Sequence, residues 1–405
     1  MELSPNDVVD VILRFMRSYD KTRDTPGVLL IGPPGIGKSE AVIQGARKRA
    51  EELGLKFWIY ESRKEPPDSL DQLFTLVLLR LDMIKPEDLT GIPDMRSDDD
   101  TFDYKLPRWV KVLKESKGGL LFLDEFTNVA DDTLMSAAYE IVLNKSVNMY
   151  RFDKLVIAAG NPPEYSSLAR PLPAPLLSGR LAVFEVRTPK LTEWLDYMYE
   201  RYGDEWAREV YAFLSQHPDL LIRSPENAEG LEPFPTPRAW SKLAVELQTS
   251  WRDEVDKVKE IAPVEESTQA KTRRVGIVGL LTSVASAFVG SEAGTRFVAW
   301  LRVKPPTIEE VIQNPSILDR INEEQKYMLA TQLATYTSKP KWKEKVLKAI
   351  EAMDFARETR LAIMTLRMMP KKKRDEFLMY MKNADKKLWN KLAVEFRLAQ
   401  IWKRR

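Results

Sequence analysis

Cysteine is absent from all 405 residues, and histidine occurs once, at His217. Without thiols there is no disulfide, no thiolate metal site and no cysteine nucleophile, and a lone imidazole leaves little room for zinc or histidine catalysis. The remaining catalytic vocabulary is carboxylate, lysine, arginine and phosphate chemistry. Long apolar runs are also missing. No stretch of about eighteen apolar residues occurs, so a membrane span is not expected. Met1 to Asp10 carries charges and a proline in place of a basic segment followed by an apolar one. That is not the pattern of a secretory signal, and a cytoplasmic address is the expectation. Net charge is small as well, at +2, but it is unevenly spread. Between Lys339 and Arg405, 20 basic against 8 acidic side chains give +12, which leaves −10 for residues 1–338. Such asymmetry points to an anionic partner for the tail.

What is present is ample apolar sequence, 44% of residues, with 30% charged, the balance of a soluble globular protein of about two or three domains. Val8, Val9, Ile12, Leu13 and Met16 fall at helical spacing behind Pro5 and the cap-like Asn6. Five apolar runs bounded by turn residues read as buried parallel strands: Val28 to Ile31, Leu55 to Tyr60, Leu120 to Leu123, Leu155 to Ala159 and Leu181 to Val186. Helical patterns lie between them, so the expected fold is α/β, a five-stranded parallel sheet with helices on both faces and ligands at the carboxyl ends of the strands. The long stretch Glu61 to Lys117 is expected to hold an apolar helix from about Leu70 to Leu81 and a turn-rich segment from Ile84 to Pro107. Its acidic knot, Asp98 to Asp100, lacks the alternating ligands and glycine of a calcium loop and reads as solvated. After the fifth strand the pattern is helical, punctuated by proline at Glu232 to Pro237 and around Lys304 to Thr307. The expected division is an α/β core over 1–190, a helical region over 191–260 and an all-α region with a basic tail over 261–405.

Gly32-Pro33-Pro34-Gly35-Ile36-Gly37-Lys38-Ser39 fits G-x-x-x-x-G-K-[ST] directly after one expected strand and before a helical run from Glu40 to Leu53. Glycines let the backbone curl so that successive N–H groups face a phosphate at the positive end of the following helix. Gly32 through Ser39, with Glu40 in the first turn, are therefore the expected nucleotide-binding set, with Lys38 as a mobile charge for the β- and γ-phosphates. Ser39 offers a hydroxyl to Mg2+.

Gly119 to Glu125 is an apolar strand that ends in two acids. Asp124 is placed to hold the metal, and Glu125 to accept a proton from an attacking water. The strand Leu155 to Ala159 leads into Gly160-Asn161-Pro162-Pro163, which sets a short amide at the same sheet edge; Asn161 there either positions the lytic water or is a buried turn residue. Arg180 follows the proline-rich Pro171 to Gly179 and can reach the γ-phosphate of a neighbouring subunit. A surface arginine is the competing reading, and Arg170 the nearest rival. Arg238, in Pro235-Thr236-Pro237-Arg238-Ala239-Trp240, opens a later helix either as a second phosphate contact or as an ordinary helix-start arginine.

In this order the five elements resemble the MoxR-like and dynein-related branch of AAA+ ATPases: Gly32 to Ser39 its Walker A, Leu120 to Glu125 its Walker B, Asn161 its sensor 1, Arg180 its arginine finger and Arg238 its sensor 2. Asp88-Leu89-Thr90-Gly91-Ile92-Pro93, Phe234 to Trp240, and Val275 to Gly279 with Gly290 and Phe297 to Leu301 echo segments of stand-alone phage and microbial members. The likeness covers Gly27 to Trp240 firmly and thins beyond. Gly179 departs from it, since the family more often has a bulkier polar residue before the finger. The resemblance implies a P-loop NTPase core with a helical lid, ATP and Mg2+ as ligands, and a hexameric ring with ATP at subunit interfaces. It also implies pore-side insertions at Glu61 to Lys117 and the hairpin-like Ser146 to Asp153. Partners would be a protein client or a von Willebrand factor A domain protein.

In the tail, Lys371 to Arg374, Lys386-Lys387 and Lys403 to Arg405 lie among Trp342, Phe377, Tyr380, Trp389, Phe396 and Trp402. Basic and aromatic residues in alternation suit single-stranded nucleic acid. Leu388, Leu392, Phe396 and Ala399 fall at helical spacing, however, and the preferred reading is amphipathic helices with core aromatics and a solvated basic face. Three functions stay open, ranked in this order: a remodelling motor acting on a protein complex, a nucleic-acid motor or loader using the tail, and a nucleotide-dependent scaffold. Glu125 speaks against the last, since a pure binder has no need of it.

Overall fold

A computed structural model describes residues 2–62, 64–95, 102–129, 131–165, 179–223, 232–260 and 268–401, with side chains over 268–275, at Ser338 and Lys371 and in part of the last helix not described. The chain forms two compact units, Met1–Pro189 and Lys190–Arg223 with Leu231–Arg405. The Asp98 to Asp100 knot, Arg170, Pro171 to Ser178 and Trp402 to Arg405 lie outside the described residues.

In the first unit, helix α1 (Pro5–Thr22) buries the expected stripe of Val8, Val9, Ile12, Leu13 and Met16. Its cap is Ser4, not Asn6. The Ser4 hydroxyl accepts from the Asp7 N–H at 3.1 Å, while the Asp7 carboxylate accepts from the Ser4 N–H at 2.9 Å, a reciprocal capping box. Pro5 then occupies the first helical position, where its missing N–H costs nothing, and Asn6 is already inside the helix.

Ten strands follow among the described residues: β1 (Gly27–Ile31), β2 (Lys56–Ile59), β3 (Leu73–Arg80), β4 (Ile92–Asp94), β5 (Asp103–Lys105), β6 (Gly118–Asp124), β7 (Ser146–Val147), β8 (Tyr150–Arg151), β9 (Leu155–Gly160) and β10 (Leu181–Glu185). Six of them make one parallel sheet in the order β10-β1-β9-β6-β3-β2. Helix α2 (Lys38–Glu52) follows β1, and α3 (Pro86–Thr90), α4 (Arg108–Glu115) and α5 (Asp132–Asn144) lie farther along the same unit. Leu29, Leu121, Leu123, Val156 and Ala158 from the sheet pack with Trp109, Leu113, Leu134, Ala138 and Ile141 from α4 and α5 into one buried cluster.

The sheet has a strand more than expected. Leu73–Arg80, expected as part of a helix over Leu70 to Leu81, is β3, hydrogen-bonded between β2 and β6. A strand flanked on both sides and covered on both faces is apolar without alternation, and such a run carries no periodicity that separates it from a buried helix. The expected strand at Leu55 to Tyr60 is real, but as β2 it forms the sheet's edge. Farther along, β4 pairs antiparallel with β5, and β7 with β8 makes a short hairpin where Ser146 to Asp153 suggested one.

The second unit is helical throughout its described residues, from Leu191–Tyr202 to Lys386–Ile401. Its core is rich in indoles, and those of Trp194, Trp206, Trp240 and Trp300 have matched N–H groups. Trp194 Nε1 donates to Ser241 Oγ at 2.9 Å, Trp240 Nε1 to the Leu220 carbonyl at 2.6 Å and Trp300 Nε1 to Gln216 Oε1 at 2.8 Å. Among the tail aromatics, Phe377 and Trp342 are buried with ring centroids 5.8 Å apart, and Leu388 and Leu392 are buried too, whereas Lys386 and Lys387 are exposed. These positions match amphipathic helices with core aromatics; the Phe396 and Ala399 side chains are not described. Among the described residues no helix is long and apolar enough to cross a membrane.

Candidate active site

Three neighbouring strands, β1, β9 and β6, deliver the polar residues at their carboxyl ends, and parallel pairing brings those ends side by side. After β1 the chain curls through Gly32 to Gly37, with Gly35 at φ 72° and Gly37 at φ 103°, left-handed values open to glycine. Gly37 caps α2 without any side chain, so the helix start presents backbone N–H groups to this concavity.

Lys38 is buried, and its ammonium turns back over the loop. Nζ donates to the Gly32 carbonyl at 2.6 Å, the Pro33 carbonyl at 2.7 Å and Asn161 Oδ1 at 2.9 Å. Asn161 in turn donates from Nδ2 to Glu125 Oε2 at 3.0 Å. One amide thus spans the cation and the carboxylate. The reversed orientation would set its NH2 against the ammonium and its oxygen against the carboxylate, so only this one satisfies both neighbours. Ser39 Oγ donates to Asp124 Oδ2 at 2.8 Å, and Asp124 Oδ1 accepts the Glu125 N–H at 3.0 Å. A hydroxyl and a carboxylate in contact are hard oxygen donors of the kind Mg2+ takes, and the glycine-rich concavity with an uncapped helix start fits a polyphosphate.

Residues missed in the sequence hold Glu125 and Asn161 in place. Glu125 has φ 57°, a strained value for a side chain of its size, and the turn is pinned by the Phe126 N–H donating to the Ala159 carbonyl at 2.8 Å. Asn128 Nδ2 donates to Glu125 Oε2 at 2.5 Å. Thr127 Oγ1 donates to the Asn161 carbonyl at 2.8 Å and accepts the Asn161 N–H at 2.9 Å, fixing the backbone of that residue. Thr127 fits there because Gly160 has no side chain; a Cβ on it would stand 2.6 Å from Thr127. Thr127 and Asn128 are two short polar residues that follow the acids with Phe126 between, the signal that could have marked them.

Burial, and next the adjacent Asp124 charge, push the Glu125 carboxyl above the usual glutamate range, while Lys38 and the Asn128 hydrogen bond pull the other way. A carboxylate with a raised pKa is a better proton acceptor near neutrality. Replacing Asn161 with alanine removes one donor from Glu125 and one acceptor from Lys38. If Glu125 is the base, turnover at saturating ATP should fall about ten- to a hundredfold, and the acid limb of the pH–rate profile should move further up.

Arg180 lies outside the cluster that gathers Lys38, Ser39, Asp124, Glu125 and Asn161. Arg180 is exposed and immediately precedes β10, whose first residue, Leu181, pairs with Gly27 at the amino end of β1. It therefore stands at the opposite sheet edge from the phosphate loop of its own chain. Arg238 is exposed in the first turn of the helix Pro237–Thr249, capped by Thr236, in the second unit. Glu40 lies in the first turn of α2, with Gln44 Nε2 at 3.5 Å from its Oε1.

A glycine-rich loop between the interior strand β1 and a helix, acids at the end of β6 and a polar residue at the end of β9, on a parallel sheet of order β10-β1-β9-β6-β3-β2, make an α/β fold of the P-loop type. No protein-family model matches the chain, and no curated protein matches it in sequence. Among solved structures it is similar to the Aeropyrum pernix Orc1 protein in complex with DNA, with 12% identity, TM-score 0.36, and 86% of this chain and 82% of that one covered. It is also similar to the Thermotoga maritima RuvB Holliday junction branch migration motor, with 14% identity, TM-score 0.29 and coverage of 87% and 76%. For C. elegans PCH-2 the values are 12%, 0.31, 74% and 67%. Likenesses of this size carry no weight for activity, which rests on the residues above.

Proposed function

We propose that this chain is a Mg2+-dependent ATPase that works as a ring-forming motor and remodels a protein partner, in the manner of the MoxR-like AAA+ proteins it resembles. The observation that carries the ATPase reading is the connected set Lys38–Asn161–Glu125 beside Ser39–Asp124. In this reading the loop N–H groups and Lys38 bind the phosphates, and Asn161 orients Glu125. Glu125 accepts the proton of the attacking water. Ser39 and Asp124 would hold Mg2+, which when bound supplies positive charge for the phosphate oxygens. Residues 191–260 would serve as the lid and carry Arg238 as sensor 2. Arg180, set away from its own chain's loop, is suited to act on the nucleotide of a neighbouring copy, as a ring would require.

A protein partner is favoured over nucleic acid by two surfaces. The β7–β8 hairpin carries Met149, 90% exposed, and Tyr150; Asn148 at its tip donates to the Thr90 carbonyl at 2.7 Å, just before β4. The β4–β5 segment carries exposed Ile92, Phe102 and Tyr104. Exposed apolar side chains on two segments joined by this contact suit a polypeptide chain. Of the tail aromatics that could stack on bases, Trp342 and Phe377 are buried and Tyr380 and Trp389 are half-buried, which leaves these four little free face for a base. The test is ATP turnover in the presence of an unfolded polypeptide such as reduced, alkylated lactalbumin, or of single-stranded DNA. Turnover should rise with the polypeptide, and Met149→Ser with Tyr150→Ala should remove that rise while basal turnover stays. Stimulation by DNA alone would replace this reading with the nucleic-acid motor.

A further inference from the structure

At the sheet edge opposite the phosphate loop, the amino ends of β3, β6 and β9 open into a cleft of about 230 Å3 bounded by α1 and α2. The distance from Gly118 to Asp124 along β6 is roughly 20 Å at the usual strand rise, so this is a separate place in the same unit. Its floor is apolar: Phe74 and Leu155 are buried and Leu55 is half-buried. Its walls are cationic, with Arg23, Arg49, Lys117 and Lys154 against a single lining carboxylate, Asp20.

The four cations are not equivalent. Arg49 is already neutralised, bonding Asp20 at 2.6 Å and Glu52 at 2.8 Å, and Arg23 donates to the Asp153 carbonyl at 3.2 Å. Lys154 and Lys117 form no ion pair with any described residue. The Lys154 stem runs over Gly119, where an added Cβ would sit 3.5 Å from Cε, and its half-buried ammonium lines the cleft. Burial, and next the Arg23 charge, hold Lys154 below the ordinary lysine range, only partly offset by Asp20 and Asp153. A half-desolvated ammonium beside other cations, over an apolar floor, gains most from an anion that brings its own apolar body.

We propose that this cleft is a binding site for a small organic anion, a phosphate or carboxylate on an aromatic or short aliphatic group, with Lys154 and Lys117 as its charge partners. A cleft of this volume is smaller than sites for drug-sized ligands and suits a ligand of about ten heavy atoms.

The test is calorimetric titration of phenyl phosphate into the full chain, with a non-hydrolysable ATP analogue and Mg2+ present in excess to occupy the phosphate loop, and benzyl alcohol as the uncharged control. One site per chain is expected, with Kd of about 1 mM or tighter. Lys117→Ala should weaken it about threefold and Lys154→Met about tenfold, with benzyl alcohol not binding. Lys117 is exposed, so its variant still decides the question should Lys154→Met fail to fold. Absence of binding up to about 10 mM, equal binding of benzyl alcohol, or the same affinity in the variants would overturn the proposal.

Discussion

Glu125→Gln should bind ATP with an affinity within about threefold of the wild type and turn it over about a hundred to ten thousand times more slowly, the usual worth of a positioned base. The amide keeps the shape of the carboxylate and its contacts with Asn128 and Asn161, but cannot take a proton. A stability measurement separates this from misfolding, because the sign is opposite. The Glu125 carboxyl is raised in the folded chain, so its neutral form favours folding, and that contribution is present below the unfolded pKa and lost as pH rises through the folded one. At neutral pH the neutral glutamine should therefore leave the melting temperature of the first unit unchanged or slightly higher. In the wild type, kcat should fall on the acid side with an apparent pKa above the ordinary glutamate value. Undiminished turnover in Glu125→Gln would move the base elsewhere.

Glu209→Ala is expected to cost about 3 kcal/mol of stability in the second unit, with no role for the phosphate site in that loss. Glu209 is 1% exposed at the start of the helix Arg208–Gln216, and its Oε1 accepts from Arg252 at 3.0 Å and from Lys259. Burial alone would raise its carboxyl, but Lys259 and Arg252 together overcome that and hold it well below the carboxylate range. Removing it leaves two partly buried cations with Asp256 as their remaining shared partner, which sets the expected loss at the lower end for a broken buried pair. Because the folded pKa is depressed, the contribution is fully present above the unfolded glutamate pKa. It fades only as pH falls from about 4.5 toward the folded value. Urea unfolding should show the midpoint falling by about 1 M at pH 7, with the gap from wild type narrowing below about pH 4. An equal midpoint would mean that the cluster contributes nothing.

Legibility followed the physics of each feature. The loop Gly32 to Ser39 and the pair Asp124-Glu125 could be read because each residue type is demanded by its task at a set spacing, and the structure brings Lys38, Ser39, Asp124, Glu125 and Asn161 into one bonded network. Asn161 alone was ambiguous, since a turn asparagine looks the same in sequence. Its meaning comes from Thr127, 34 residues earlier, and from Lys38, 123 residues earlier, contacts that no local pattern encodes. Leu73–Arg80 could not be read as a strand because burial on every side erases alternation, and what decides it is pairing with β2 and β6. Ser4 and Asn6 are both good caps, so residue type alone does not separate them. Pro5 at the first helical position settles the matter, since the cap must precede it.

The proposed function turns on the grip of the curled loop after β1, with Lys38 folded over it, on a nucleoside triphosphate. It is tested most directly by equilibrium binding of ATP with Mg2+ to the wild type and to Lys38→Ala. The wild type should bind in the micromolar range and the variant at least about a hundredfold more weakly, with the fold retained by circular dichroism. Equal affinity in the two proteins would contradict the assignment of this loop, and with it the roles given to Ser39, Asp124 and Glu125.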